Sequence, residues 1–116
     1  MSGPIIVIDD EPMICRVSSL SLRGLGREVL TFTDPLKALA WLADAPEAPC
    51  VVVCDYRMPG LTGLEVLERL PQSVPFVLMS GDLFDVDGDD ARIAAFLAKP
   101  LQPSELMDAV MPFVVR

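Results

Sequence analysis

Residues 50–60 read CVVVCDYRMPG. Five apolar residues, Cys50 to Cys54, stop abruptly at Asp55. A short apolar run closed by a polar residue predicts a strand buried on both faces, as in a parallel sheet. Asp55 then falls just past its carboxyl end, where open α/β sheets place their ligands. Three further runs end alike. Ile5 to Ile8 leads into Asp9, Asp10 and Glu11; Phe76 to Met79 leads into Ser80; Ile93 to Ala98 leads into Lys99 and Pro100. If these strands are parallel, an acidic pair, a lone aspartate, a hydroxyl and a lysine share one rim.

The intervening stretches predict helices. Pro12 suits a first helical turn, and Met13, Val17, Leu20 and Leu25 then recur at helical spacing. Gly24 and Gly26 end that helix, and Val29 to Phe32 predicts a strand. Asp34 caps a second helix with Pro35 at its first position and Leu36, Leu39, Ala40 and Ala43 inward; Trp41 packs at the edge of that stripe. Residues 44–49 form a loop. Thr62 caps a third helix carrying Leu64, Val66, Leu67 and Leu70. Pro103 and Ser104 start the last helix, with Leu106, Val110, Phe113 and Val114 inward and Pro112 weakening its end. Residues 81–92, GDLFDVDGDDAR, hold five aspartates and little apolar periodicity, which predicts a short, distorted or mobile helix. They do not form a calcium loop: counted from Asp85, Gly88 stands fourth where the sixth position is needed, and Phe96 replaces the bidentate glutamate.

Composition narrows the function. With 116 residues and 52% hydrophobic content, the chain reads as one folded domain, residues 1–116, with no output domain in this chain. A net charge of −8 argues against nucleic-acid binding, and no apolar stretch approaches a membrane span. The N-terminus lacks the pattern of a secretory signal. Cys15, Cys50 and Cys54 have no zinc spacing and read as reduced core residues of a cytoplasmic protein. With no histidine, the chain has no His-based catalysis, His metal site or phosphohistidine chemistry of its own; if a phosphohistidine donor exists, it belongs to a partner.

Four segments, IIVIDDEP (5–12), VVVCDYRMPGLTG (51–63), FVLMSG (76–81) and FLAKP (96–100), together resemble the receiver domain of two-component response regulators. Their order and approximate spacing match over essentially the whole chain. The resemblance implies a flavodoxin-like α/β three-layer sandwich whose five-stranded parallel sheet runs 2-1-3-4-5. It implies Asp55 as phosphoacceptor, with Mg2+ (or Mn2+) held by Asp10, Asp55, the Arg57 carbonyl and, through water, Asp9. Ser80 and Lys99 would bind the phosphoryl group, and Phe96 would be the switch aromatic, with ordinary core packing its main rival role. Arg57, Gly81 and Asp82 would tune the lifetime of the phosphorylated state, and the Lys99–Pro100 bond would be cis.

The partners implied are a histidine kinase or histidine phosphotransfer protein and a downstream target or fused output domain. The implied state is a monomer or a phosphorylation-dependent dimer. No separate enzyme activity is implied beyond promotion of the domain's own phosphorylation and dephosphorylation. Two other readings stand beside this one. A phosphorylation-independent interaction module would share the fold. A haloacid-dehalogenase-type phosphotransferase would need Asp-x-Asp-x-Thr/Val, whereas Asp9 and Asp10 are adjacent and Glu11-Pro12 follows.

Overall fold

The computed structural model describes residues 3–71, 73–82 and 90–114. Five strands, β1 (Ile5–Ile8), β2 (Val29–Phe32), β3 (Val51–Asp55), β4 (Phe76–Ser80) and β5 (Ala95–Ala98), form one parallel sheet in the order β2-β1-β3-β4-β5. Among the described residues four α-helices join them: α1 (Pro12–Leu22), α2 (Pro35–Asp44), α3 (Gly63–Glu68) and α4 (Pro103–Val114).

Strand alternation builds two cores. Ile5, Val7, Val51, Val53, Val77 and Met79 face α1 and α4, packing on Leu22, Leu106, Val110 and Val114. Ile6, Ile8, Val52, Cys54, Phe76 and Leu78 face α2 and α3, packing on Ala38, Val66 and Leu67. Both faces of β1, β3 and β4 are buried, which is why those strands are uninterrupted apolar runs. All three cysteines are free and buried.

Local signals set the helix starts. The Asp34 carboxylate accepts from the Leu36 N–H at 2.9 Å, with Pro35 following in the first turn. Thr62 and Glu65 form a reciprocal capping box: Glu65 N–H donates to Thr62 Oγ1 at 3.2 Å, and Thr62 N–H donates to Glu65 Oε1 at 3.0 Å. After Leu22, α1 tightens into a 3-10 turn, Arg23–Leu25, which ends at Gly26 with φ 77°.

Several expectations need correction. The apolar positions that recur along α1 face solvent: Met13, Val17 and Leu20 are 66%, 47% and 60% exposed. The buried face carries Cys15, Ser18 and Leu22 instead. The more polar of the two faces is therefore the one that packs on the sheet. On α2, Leu36, Ala40 and Ala43 are exposed; Pro35 and Ala38 are buried, with Leu39, Trp41 and Leu42 packed beside them. Trp41 stacks obliquely on Phe32, with ring centroids 6.2 Å apart. Asp55 is the last residue of β3 rather than the first beyond it, and β5 begins at Ala95, not Ile93. α4 continues through Pro112 to Val114. The expectation for residues 81–92 rests largely on 83–89, which lie outside the described residues.

Candidate functional site

Backbone pairing fixes the rim before any side chain acts. Asp9 N–H donates to Phe32 O at 3.0 Å, Tyr56 N–H to Met79 O at 2.8 Å, and Lys99 N–H to Ser80 O at 2.8 Å. These bonds hold the ends of β1, β3 and β5 to their neighbours. Asp55 thus closes β3, while Asp9 and Lys99 stand one residue past β1 and β5 with their amides still bonded to the neighbouring strand ends.

Their side chains converge. Lys99 Nζ lies 2.7 Å from Asp9 Oδ2 and 3.3 Å from Asp55 Oδ1. Glu11 Oε1 lies 3.8 Å from the same nitrogen. The other oxygen of Asp9 accepts from the Glu11 N–H at 2.9 Å. One carboxylate oxygen from each of Asp9, Asp10 and Asp55 lies within 4.8 Å of the others. Asp9 is wholly buried, Asp55 nearly so, and Asp10 half-buried.

Crowding and burial perturb these groups. Burial raises the Asp9 carboxyl, partly offset by its bond to Lys99. Asp55 is pushed up to about 6 by burial and then by the charge of Asp9, again partly offset by Lys99. Burial works against the charged form of Lys99, but the hydrogen bond and charge of Asp9, with those of Asp55, outweigh it and raise Lys99 overall. One ammonium faces three clustered carboxylates, so negative charge remains in excess. Hard oxygen donors so arranged suit a divalent cation such as Mg2+.

Ser80, 1% exposed at the end of β4, is held in a local turn. Its hydroxyl donates to Asp82 O at 2.9 Å and accepts from the Asp82 N–H at 3.1 Å. Phe96, in register with Leu78, is half-buried against the α2–α3 core. The Lys99–Pro100 peptide is cis, as expected. Arg57, Gly81 and Asp82 are exposed in the loops after β3 and β4, and a methyl at Gly81 would meet nothing within 4 Å.

Two contributors escaped the sequence reading. Gly63 begins α3 with its N–H on Tyr56 O at 2.8 Å, and a Cβ there would stand 2.6 Å from Asp55 O. The pair Thr62-Gly63 signals a helix start, but not the approach of that start to the end of β3. Cys15, read only as core, donates from Sγ to Asp9 O at 3.3 Å and so ties α1 to the acidic strand end. Its thiol is raised to about 11 by burial and the charge of Asp9, which keeps it protonated.

A parallel sheet in this order, with three aspartates and a lysine on one rim, defines a receiver fold. The chain belongs to the response regulator receiver domain family, whose model matches residues 5–111. It is 29% identical over 115 residues to the DNA-binding response regulator MtrA of Mycolicibacterium smegmatis, an alignment covering 95% of this chain and 50% of that protein. The chain thus spans half the length of that relative. Among solved structures, a response regulator receiver domain protein from Clostridium thermocellum superposes with TM-score 0.83 at 26% identity, covering 97% of this chain and 94% of that one. The BeF3-activated DrrB receiver domain superposes with TM-score 0.81 at 26% identity over the full length of both chains.

Proposed function

We propose that this domain accepts a phosphoryl group on Asp55 from a phosphohistidine of a partner protein and thereby switches a protein-interaction surface. The observation carrying this reading is the convergence of Asp9, Asp10, Asp55 and Lys99 at one buried rim. A carboxylate oxygen of Asp55 forms the new O–P bond. The N–P bond of the donor imidazole breaks, and its electron pair returns to that nitrogen, which takes up a proton. Lys99, already 3.3 Å from Asp55, pairs with the phosphoryl oxygens.

Asp10 and Asp55, the Arg57 carbonyl and, through water, Asp9 would hold Mg2+. When bound, the ion neutralises charge on the transferring group. The three carboxylates fit that demand, because a single lysine does not balance them.

Ser80 supplies the readout. Its hydroxyl can keep accepting from the Asp82 N–H while its one proton turns from Asp82 O to a phosphoryl oxygen. The turn at 80–82 then loses the bond from Ser80 Oγ to Asp82 O and shifts. Phe96, on the neighbouring strand and only half-buried, has room to follow by changing rotamer. Arg57, Gly81 and Asp82, exposed in the loops after β3 and β4, would set access for the donor and for hydrolytic water.

The donor is a histidine kinase or phosphotransfer protein, and the output is a protein target or an attached domain. No helix among the described residues is long and apolar enough to cross a membrane, in keeping with a cytoplasmic setting. The similarity to a BeF3-activated receiver supports the phosphoryl reading, since BeF3 has the shape and charge of that group. Mass spectrometry after incubation with acetyl phosphate and Mg2+ tests it. One added phosphoryl group is expected, absent in Asp55→Asn; no addition to the wild-type chain would leave a phosphorylation-independent module instead.

A further inference from the structure

Between α1 and the segment leading from β5 into α4 lies a cleft of about 380 Å3. Ile14 and Val17 of α1, Pro100 and Leu101 of the connection, and Leu106 of α4 make its walls apolar. Ser18 is set among them. It is only 3% exposed, yet its hydroxyl has no hydrogen-bond partner among the described residues. No fully buried polar atom is left unpaired, so that oxygen is reached from the cleft it lines.

A helical serine commonly returns its hydroxyl to the carbonyl one turn back. Ser21 does this, donating to Val17 O at 2.9 Å. Ser18 does not, so its hydroxyl is left for water or for a molecule that enters the cleft. Of the charged lining residues, Lys99 is already engaged by Asp9, Asp55 and Glu11, so no cation is left over to attract an anion into the cleft. Binding sites for small molecules are typically apolar, a few hundred cubic ångströms in volume, with a few convergent polar groups.

We propose that this cleft binds a small uncharged amphiphile: a compact apolar ring carrying one hydroxyl or amide that hydrogen-bonds Ser18. Lys99 and Pro100 belong to its wall, so occupancy bears directly on the segment that positions the site lysine. The inference does not rest on the phosphoryl reading, because the cleft and the Ser18 hydroxyl that lines it are present without any phosphoryl group.

Titration of the isotopically labelled chain by amide NMR tests it, with p-cresol as the probe and p-xylene as the isostere lacking the hydroxyl. Saturable shifts are expected around residues 14–18 and 101–106. p-Cresol should bind about fivefold more tightly than p-xylene, the worth of one neutral hydrogen bond. Ser18→Ala should erase that preference while leaving p-xylene binding unchanged. Val17→Lys, at a half-exposed wall position that tolerates a charge, should weaken both probes several-fold. The titration uses neither acetyl phosphate nor Mg2+, so it reads the cleft whatever the fate of the phosphoacceptor reading. Absence of saturable shifts, shifts mapping elsewhere, a hydroxyl preference that survives Ser18→Ala, or indifference to Val17→Lys would each overturn the proposal.

Discussion

Replacing Gly63 with alanine should damage stability and site together, because the added methyl points at the backbone of Asp55. The Cβ would stand 2.6 Å from Asp55 O, 2.7 Å from Leu78 Cδ1 and 3.1 Å from Tyr56 Cα. The first of these is about 0.8 Å inside ordinary van der Waals contact at 3.4 Å. The Leu78 tip can rotate only within a filled core, since Leu78 is wholly buried. The carbonyl has less freedom still. It belongs to β3, and the Gly63 N–H is already bonded to Tyr56 O one residue on. Overpacking of this kind costs about 1–3 kcal/mol. Loss of glycine's freedom in the unfolded chain returns about 0.4–1 kcal/mol. The net expectation is a loss of about 1–2 kcal/mol, small enough for the domain to fold. The rate of phosphorylation by acetyl phosphate should fall by about 10- to 100-fold, since Asp55 must move by several tenths of an ångström. Urea denaturation measures the first effect and time-resolved mass spectrometry the second. Gly24→Ala is the control: a methyl there meets nothing within 4 Å, and its φ is not positive. Its stability should stay within about 0.5 kcal/mol of wild type. A Gly63→Ala variant with wild-type stability and rate would refute the account of how α3 packs on the site.

Other expectations follow from the charges at the rim. Asp55 rises from 3.8 to about 6 on folding, so the folded state binds its proton more tightly than the unfolded state. Its stabilising contribution is therefore full below about pH 4 and is lost as pH rises through about 6. Asp55→Asn should stabilise the metal-free domain at pH 8 by about 1–3 kcal/mol and flatten that pH window; urea melts at pH 8 that match wild type would contradict the burial of charge at this position. Mg2+ should raise the melting temperature at pH 7.5 and do so far less at pH 5, where protons compete for the carboxylates. Asp10→Ala should abolish the rise, and a shift that persists in this variant would place the ion elsewhere. Arg57→Ala should speed dephosphorylation if Arg57 shields the phosphoryl group from water; an unaltered decay rate, followed by mass spectrometry, ends that assignment.

The order of residues along the chain was enough to specify where polar groups meet the sheet. Each apolar run that ends in a polar residue is a strand buried on both faces, and parallel strands deliver their carboxyl ends to one side. That is why Asp9, Asp55, Ser80 and Lys99 could be assigned to one rim before any coordinate was known. Thr62 and Asp34 were equally legible, because capping acts within three residues of the chain. Helix orientation was not. On α1, Met13, Val17 and Leu20 form a coherent apolar stripe, yet Cys15, Ser18 and Leu22 on the opposite side are the ones against the sheet. Both faces satisfy helical periodicity, and only the space available beneath the helix chooses between them. The same holds for the contact of Gly63 with Asp55 and for the reach of Lys99 across 90 residues of sequence to Asp9. Periodicity and capping are properties of neighbours in the chain; close approach between distant segments arises only when the whole sheet and its helices are packed together.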